Sequence, residues 1–177
     1  MMKFIKKYSL LITLLSLTVL GSSCMKEDRA LLKDSFVEFD AATYNANAAG
    51  VDYPMLTRVP RYGEPVNTGA TTADPAITRT SGTIKFRVNL VGAQRSTPTV
   101  VEYGVVADKT TAVSGTHFTT ASSVTIPANS SFGEVTVVVL NAGASSVARD
   151  LVLELRGASD LPPSQNEKRI GIRISQL

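Results

Sequence analysis

The chain has 177 residues, a formal net charge of +3, one cysteine, one histidine and no tryptophan. Lys3, Lys6 and Lys7 account for this charge, because residues 24–177 hold equal numbers of basic and acidic side chains. A neutral chain without clustered Lys and Arg excludes a general nucleic-acid binder, and the Cys and His content excludes a zinc site. The length suits one domain with a core that needs no disulfide.

The N-terminus has the parts of a secretory signal peptide. Three lysines precede an apolar run over residues 10–20, and small residues follow at 21–23. We expect residues 1–23 to be a signal-peptide helix. The run is shorter than the roughly 20 apolar residues that a membrane-spanning helix needs, so permanent spanning is not expected.

Cys24 lies at the end of the apolar run, directly after Ser22 and Ser23. A lone cysteine in an exported chain cannot close an internal disulfide. The stretch Leu20-Gly21-Ser22-Ser23-Cys24 resembles the lipobox of bacterial lipoproteins, although Gly21 stands where that pattern has Leu or a relative. The resemblance implies a lipid on the Cys24 thiol. The alternative is ordinary signal-peptidase cleavage after Ser23, which leaves a free thiol.

The residues after Cys24 bear on localisation. Two or more acyl chains are enough for stable membrane attachment. Met25 is not the Asp that resembles an inner-membrane retention signal, so the resemblance implies the outer membrane. The charged run 26–29 resembles the export tags of surface-exposed lipoproteins in Bacteroidota, or it is only a solvated part of the tether. We expect residues 24–34 to form a tether.

Downstream, apolar residues alternate with polar ones, which is typical of strands with one solvated face. Turn-forming residues separate these segments. Seven strands are predicted, over residues 35–39, 84–90, 100–106, 122–126, 135–140, 151–155 and 170–174. Residues 135–140 are apolar on both faces, which predicts a central strand. The fold class is therefore all-β, an antiparallel Ig-like β-sandwich over residues 35–177. We expect its core to include Phe36, Phe39, Phe86, Phe118 and Phe132.

Residues 41–80 have weak periodicity and hold Pro54, Pro60, Pro65 and Pro75. They predict a long irregular excursion with an edge strand near Met55–Val59. Tyrosine and arginine anchor interfaces at low entropic cost, and loops on a rigid scaffold often carry function. The candidate binding residues of the excursion are Tyr44, Tyr53, Arg58, Arg61 and Tyr62. The alternative is that the tyrosines fold back over the sheet edge.

Four segments occur in an order that resembles a Calx-beta-like domain: Ala112–Phe118, Val124–Ala128, Glu134–Val139 and Leu151–Leu155. The layout also resembles small uncharacterised Bacteroidota lipoproteins that carry such a domain behind a lipobox. Calx-beta domains that bind calcium use carboxylates at strand ends. The matching positions here hold His117 and residues 141–143, Asn-Ala-Gly, so we expect no metal site.

A hydrolase would have to use His117, because it is the only histidine. The available nucleophiles and orienting acids are Ser114, Ser122, Ser123, Asp108 and Asp150. No spacing supports a triad, since that arrangement is recognised by geometry. Glu102, Glu134 and Glu154 are interpreted as solvated strand residues rather than a glycosidase pair. We expect no enzymatic activity and no cofactor.

The function predicted is a non-catalytic binding or accessory module, lipid-anchored at the outer membrane. The resemblance implies association with a nutrient importer, with an envelope protein, a glycan or a peptide as ligand and no nucleic-acid partner. The alternative is an adhesin or structural spacer subunit, in which sheet edges bind by strand addition.

Overall fold

The computed structural model describes residues 34–40, 50–60, 82–143 and 145–175, without the side chains of 57–60 and 175. All of these residues belong to one compact unit, Leu32–Leu177. Within them there is no helix of the length and apolarity that crossing a membrane requires. The strands are β1 (Phe36–Phe39), β2 (Met55–Pro60), β3 (Thr83–Val91), β4 (Thr99–Val105), β5 (Phe118–Thr120), β6 (Ser123–Ile126), β7 (Phe132–Val139), β8 (Arg149–Gly157) and β9 (Arg169–Ser175). A 3₁₀ turn, Ala107–Lys109, follows β4.

The strands form two sheets, which confirms the predicted all-β sandwich. Among the described residues, one sheet has four strands in the order β1-β3-β7-β5, and the other has five in the order β2-β9-β8-β4-β6. Every predicted strand is present, with its ends shifted by up to three residues. β5 was not predicted, because three residues are too few to show an alternating pattern.

The edge strand predicted near Met55–Val59 is confirmed as β2, the outermost strand of the five-stranded sheet. It differs from the prediction in direction, because β2 runs parallel to β9, whereas the other strand pairs are antiparallel. The chain enters β2 from β1 and leaves it for β3, both in the opposite sheet. No hairpin therefore joins β2 to β9, and nothing imposes an antiparallel pairing on them.

The core lies between the sheets and follows the alternation of the strands. In β3, for example, Ile84, Phe86, Val88 and Leu90 are buried while Lys85 and Arg87 face solvent. Burying one such aliphatic or aromatic side chain contributes about 1.5–3 kcal/mol. The rings of Phe39 and Phe86 meet edge to face across the β1–β3 pair, with centroids 6.4 Å apart.

β7 is an interior strand of its sheet, as predicted. Only one of its faces is buried, however: Val135, Val137 and Val139 point into the core, whereas Thr136 is exposed and Val138 is half-buried. A sheet in a two-layer sandwich has one face against the core and one toward solvent. The apolar outer position Val138 is what made the sequence pattern look buried on both faces.

Two of the five phenylalanine assignments were wrong, those of Phe36 and Phe132. Phe39, Phe86 and Phe118 are core residues, but Phe132 is 38% exposed. It is the first residue of β7 and lies on the outward face of that strand, which also bears Glu134 and Thr136. The guanidinium of Arg87 lies 3.9 Å from its ring centroid, so a cation–π contact covers the ring in place of the core. Phe36 is only half-buried, because it lies on the face of β1 opposite to the buried Val37 and Phe39.

The β1 edge of the four-stranded sheet is covered by the segment before β9. Val37 donates its N–H to the carbonyl of Pro162 at 3.0 Å, and Ser164 donates to Val37 at 2.7 Å. Phe39 donates to Glu167 at 2.8 Å. These bonds satisfy an edge that would otherwise invite pairing with another chain.

Candidate functional site

Several strand ends meet at one end of the sandwich, which we call the Arg149 end. Arg149 begins β8 and pairs with Ile174 of β9, which in turn pairs with Val59 of β2. The segment after the 3₁₀ turn runs past the same point, since the N–H of Ala112 donates to the carbonyl of Asp150 at 2.9 Å. The segment after the 3₁₀ turn is therefore fixed to β8 by a backbone hydrogen bond at this end.

The turn that bears the only histidine lies at this end. Ala112 precedes Val113, whose carbonyl accepts the N–H of His117 at 2.8 Å. The carbonyl of His117 accepts in turn from Leu140, at the end of β7. The positions compared above with calcium-binding Calx-beta domains, His117 and Asn141, thus belong to one end of the sandwich.

His117 has a structural role in its turn. Its side chain is 8% exposed, and its Nδ1 accepts the N–H of Val113 at 3.0 Å. In the neutral ring the proton is therefore on Nε2. In a Ser-His-Asp triad the orienting carboxylate binds Nδ1, which is the atom already occupied here. The hydrogen bond thus supports the interpretation of His117 as a satisfied turn residue.

Three of the acidic residues considered for catalysis, Asp150, Glu134 and Glu154, have other partners. Asp150 accepts two hydrogen bonds from Arg173, at 2.7 and 2.8 Å. This hydrogen bonding raises the pKa of the Arg173 guanidinium. Glu134 binds Lys85 at 2.9 Å, and Glu154 binds Arg169. Since Glu134 and Glu154 lie on different sheets, they do not form a carboxylate pair across one cleft.

Arg149 is the feature of this end that sequence reasoning missed. The residues of β8 that face the core are Leu151, Leu153 and Leu155, and all three are fully buried. Arg149 is two positions before Leu151 and therefore lies on the same face, at the end of the core where β8 begins. Its Nε atom is buried and has no hydrogen-bond partner in the described part of the chain. Counting back by two from the three leucines would have placed an arginine on the core face.

Tyr53 is the sequence-predicted candidate that can be placed with its side chain. It is 4% exposed and packs with Met55 and Val152 in a small cluster outside the main core. Its ring lies over Gly171 of β9, whose added Cβ would come within 2.9 Å of the Tyr53 ring. The amino group of Lys109 lies 5.8 Å from the ring centroid. Burial is the main cause that raises the pKa of the Tyr53 hydroxyl.

The cluster lies on the outer face of the five-stranded sheet. Val152 and Gly171 are directly paired, and the pairs Asp150–Arg173 and Glu154–Arg169 flank them along β8 and β9. Two ion pairs therefore border the tyrosine. A glycine inside an interior strand marks a close approach, so the glycine of the predicted strand 170–174 was the available sequence signal.

The other candidates are only partly placed. Arg58 lies in β2, but its side chain is outside the described part of the chain. Cys24, Tyr44, Arg61 and Tyr62 also lie outside the described residues. Arg61 follows Pro60, which pairs with Ser175 beside the Arg149–Ile174 pair, so the chain leaves β2 at the Arg149 end.

No group of three His, Cys, Asp or Glu side chains in the described ranges could hold a metal ion. Asp108 lies in the 3₁₀ turn and Asp150 lies in β8, where it is bound by Arg173. Six to eight oxygen ligands are needed for calcium, and these two residues do not supply them.

The fold is Calx-beta-like. The apo form of the Calx CBD1 domain matches with a TM-score of 0.51 and 13% identity. The match covers 81% of this chain and 97% of the CBD1 domain. A two-domain protein of unknown function from Bacteroides fragilis matches with a TM-score of 0.49 and 9% identity, over 80% of this chain and 45% of its own length. A putative carbohydrate binding protein from Bacteroides ovatus matches with a TM-score of 0.41 and 13% identity, over 53% of this chain and 31% of its own length. Of these three, the first supports the fold assignment.

This chain spans less than half the length of the two Bacteroides proteins that it resembles. No family model matches the sequence. No curated protein matches it either.

Proposed function

We propose that the protein is a non-catalytic binding module of the cell envelope, anchored at the outer membrane through a lipid on Cys24. The segments predicted to be a signal peptide and a charged tether, with Cys24 between them, precede β1 in the sequence. This order is that of an exported domain on a lipid-anchored stalk. The surface-exposed leaflet and association with a nutrient importer are part of the proposal, on the basis of the lipoprotein resemblance.

The observation that carries the binding role is the composition of the Arg149 end. It combines an arginine without an acceptor with the point where the chain leaves β2 toward Arg61 and Tyr62. Rigid strands hold this end, and arginine and tyrosine are favoured interface anchors. We propose that an envelope protein, a glycan or a peptide binds there.

Metabolic labelling with radioactive palmitate tests the anchor. Wild-type protein is expected to incorporate the label, and Cys24→Ser is expected to lose it completely, because no other thiol is present. Equal expression of the two forms, checked by immunoblot, is the control. Equal labelling of both forms would contradict lipidation of Cys24.

The adhesin or spacer alternative is favoured by a different observation, the position of β2 at an outer edge of its sheet. Strand addition would use the backbone of such an edge rather than the loops. The two functions predict different effects for the same substitutions. Replacing Arg61 and Tyr62 by alanine should weaken ligand binding under the first and leave subunit assembly intact under the second.

A further inference from the structure

Arg149 is half-buried, and its Nε is a buried cationic donor that has no acceptor among the described residues. Strand alternation directs its side chain inward at the mouth of the core, on the same face as Leu151 and Ile174. The buried Nε has no hydrogen-bond partner, and none of the described carboxylates forms an ion pair with the guanidinium. A guanidinium stays protonated in proteins, so deprotonation cannot relieve this state.

The neighbouring acid cannot serve as the acceptor. Asp150 is adjacent in sequence, but strand alternation places it on the outer face, where Arg173 holds both of its carboxylate oxygens. Several other described arginines have partners of their own: Arg87 binds Asn89, Arg95 binds Asp160 and Arg169 binds Glu154. Arg149 differs from these in being buried at Nε and unpaired.

A buried charged donor that lacks an acceptor costs free energy, and native structures rarely retain one without a reason. The guanidinium is a planar fork of N–H donors that matches the two oxygens of a carboxylate or a phosphate. An oxyanion bound at this end of the core would accept a hydrogen bond from the Nε–H group and balance the positive charge of the guanidinium.

We propose that Arg149 is the anchor of an oxyanion-binding site at the Arg149 end, which takes a carboxylate or phosphate group of a ligand. The proposal deepens the proposed binding role and rests on it for its biological meaning. It gives that role a ligand chemistry: an acidic peptide or glycan, or a phosphorylated compound. Its test does not involve the lipid anchor, so failure of one leaves the other standing.

The test measures the thermal unfolding midpoint of the purified full chain in detergent, with inorganic phosphate or acetate added at constant ionic strength and chloride as reference. Phosphate stabilises many proteins nonspecifically, so the comparison with variants decides the outcome. For the wild type we expect a saturable rise in the midpoint with at least one of the two anions. Phosphate alone or acetate alone would identify the phosphate or the carboxylate as the preferred group.

Arg149→Met is expected to abolish the saturable rise. Without added anion its midpoint should equal or exceed that of the wild type, because the variant replaces a buried unpaired donor by an apolar chain of similar length. Arg149→Lys keeps the charge but loses the fork, so we expect about tenfold weaker anion binding. Arg156→Met is the matched control, since Arg156 lies on the exposed face of the same strand, and it should respond like the wild type.

Three results would overturn the proposal. One is a rise that does not saturate, or that persists unchanged in Arg149→Met, which would mark an adventitious ion only. Another is the absence of any rise specific to phosphate or acetate in the wild type. The third is a large loss of stability in both Arg149→Met and Arg149→Lys without added anion, which would mean that another part of the chain already binds this guanidinium.

Discussion

Gly157→Ala is expected to lower the free energy of unfolding by about 3 kcal/mol or more. Gly157 ends β8 with a φ of 85°, which L-residues rarely adopt. An added Cβ would also collide with the carbonyl oxygen of Leu161. That oxygen is held in place, because it accepts the N–H of Ala158 at 2.9 Å. The following residue, Pro162, binds the edge of β1, so a shift here would loosen both sheets.

Gly115→Ala separates the two causes. Gly115 has a similar φ of 78°, but its added Cβ would meet nothing within 4 Å. The variant should therefore show only the conformational cost, about 1 kcal/mol. Chemical denaturation of the wild type and both variants measures the difference. Equal losses in the two variants would show that the contact between β8 and the segment before β9 is not as tight as described.

Tyr53→Ala is expected to cost about 2 kcal/mol or more, because it empties the cluster on the outer face of the five-stranded sheet. Gly171→Ala should cost about 1–3 kcal/mol on its own, since its Cβ would lie 2.9 Å from the Tyr53 ring and 3.0 Å from the Met55 methyl group. In the Tyr53→Ala background the same change should be close to neutral. The remaining neighbour is then the flexible end of Met55, which can move away.

The double-mutant cycle measures this coupling directly, and we expect a coupling energy of about 1–3 kcal/mol. Trypsin digestion adds a local readout, because Arg58 and Arg61 follow Tyr53 in the chain. Cleavage after these arginines should be faster in Tyr53→Ala than in wild type while the sandwich stays folded. Additive costs with unchanged cleavage would mean that Tyr53 does not fix β2 to the sheet.

Much of the fold could be predicted because most strands have one face against the core and the other toward solvent, which gives an alternating sequence pattern. The alternation in β3 and β9 directly gives the core face, and the turn residues between strands give their ends. Phe132 was misplaced because a phenylalanine suggests the core wherever it occurs, and only the register with β3 shows that Arg87 covers it. The parallel pairing of β2 depends on contacts far apart in sequence, which periodicity does not contain.

The candidate site was less accessible from sequence for a related reason. Tyr53 is a plausible ligand anchor by residue type, but the glycine opposite it, Gly171, is 118 positions away in the chain. The two become connected only when β2 lies beside β9. Arg149 looks like an ordinary surface arginine unless the alternation of β8 is extended back from Leu151, and its pairing with Ile174 places it on the inward face.

Fractionation of cells that express wild type or Cys24→Ala, with protease added to the intact cells, tests the central claim most directly. We predict wild-type protein in the outer-membrane fraction and accessible to the protease, and Cys24→Ala in the soluble fraction. Membrane-bound protein that is protected from the protease would contradict surface exposure and turn the search for partners to the periplasm. Cys24→Ala that sediments with membranes as the wild type does would contradict the lipid anchor itself.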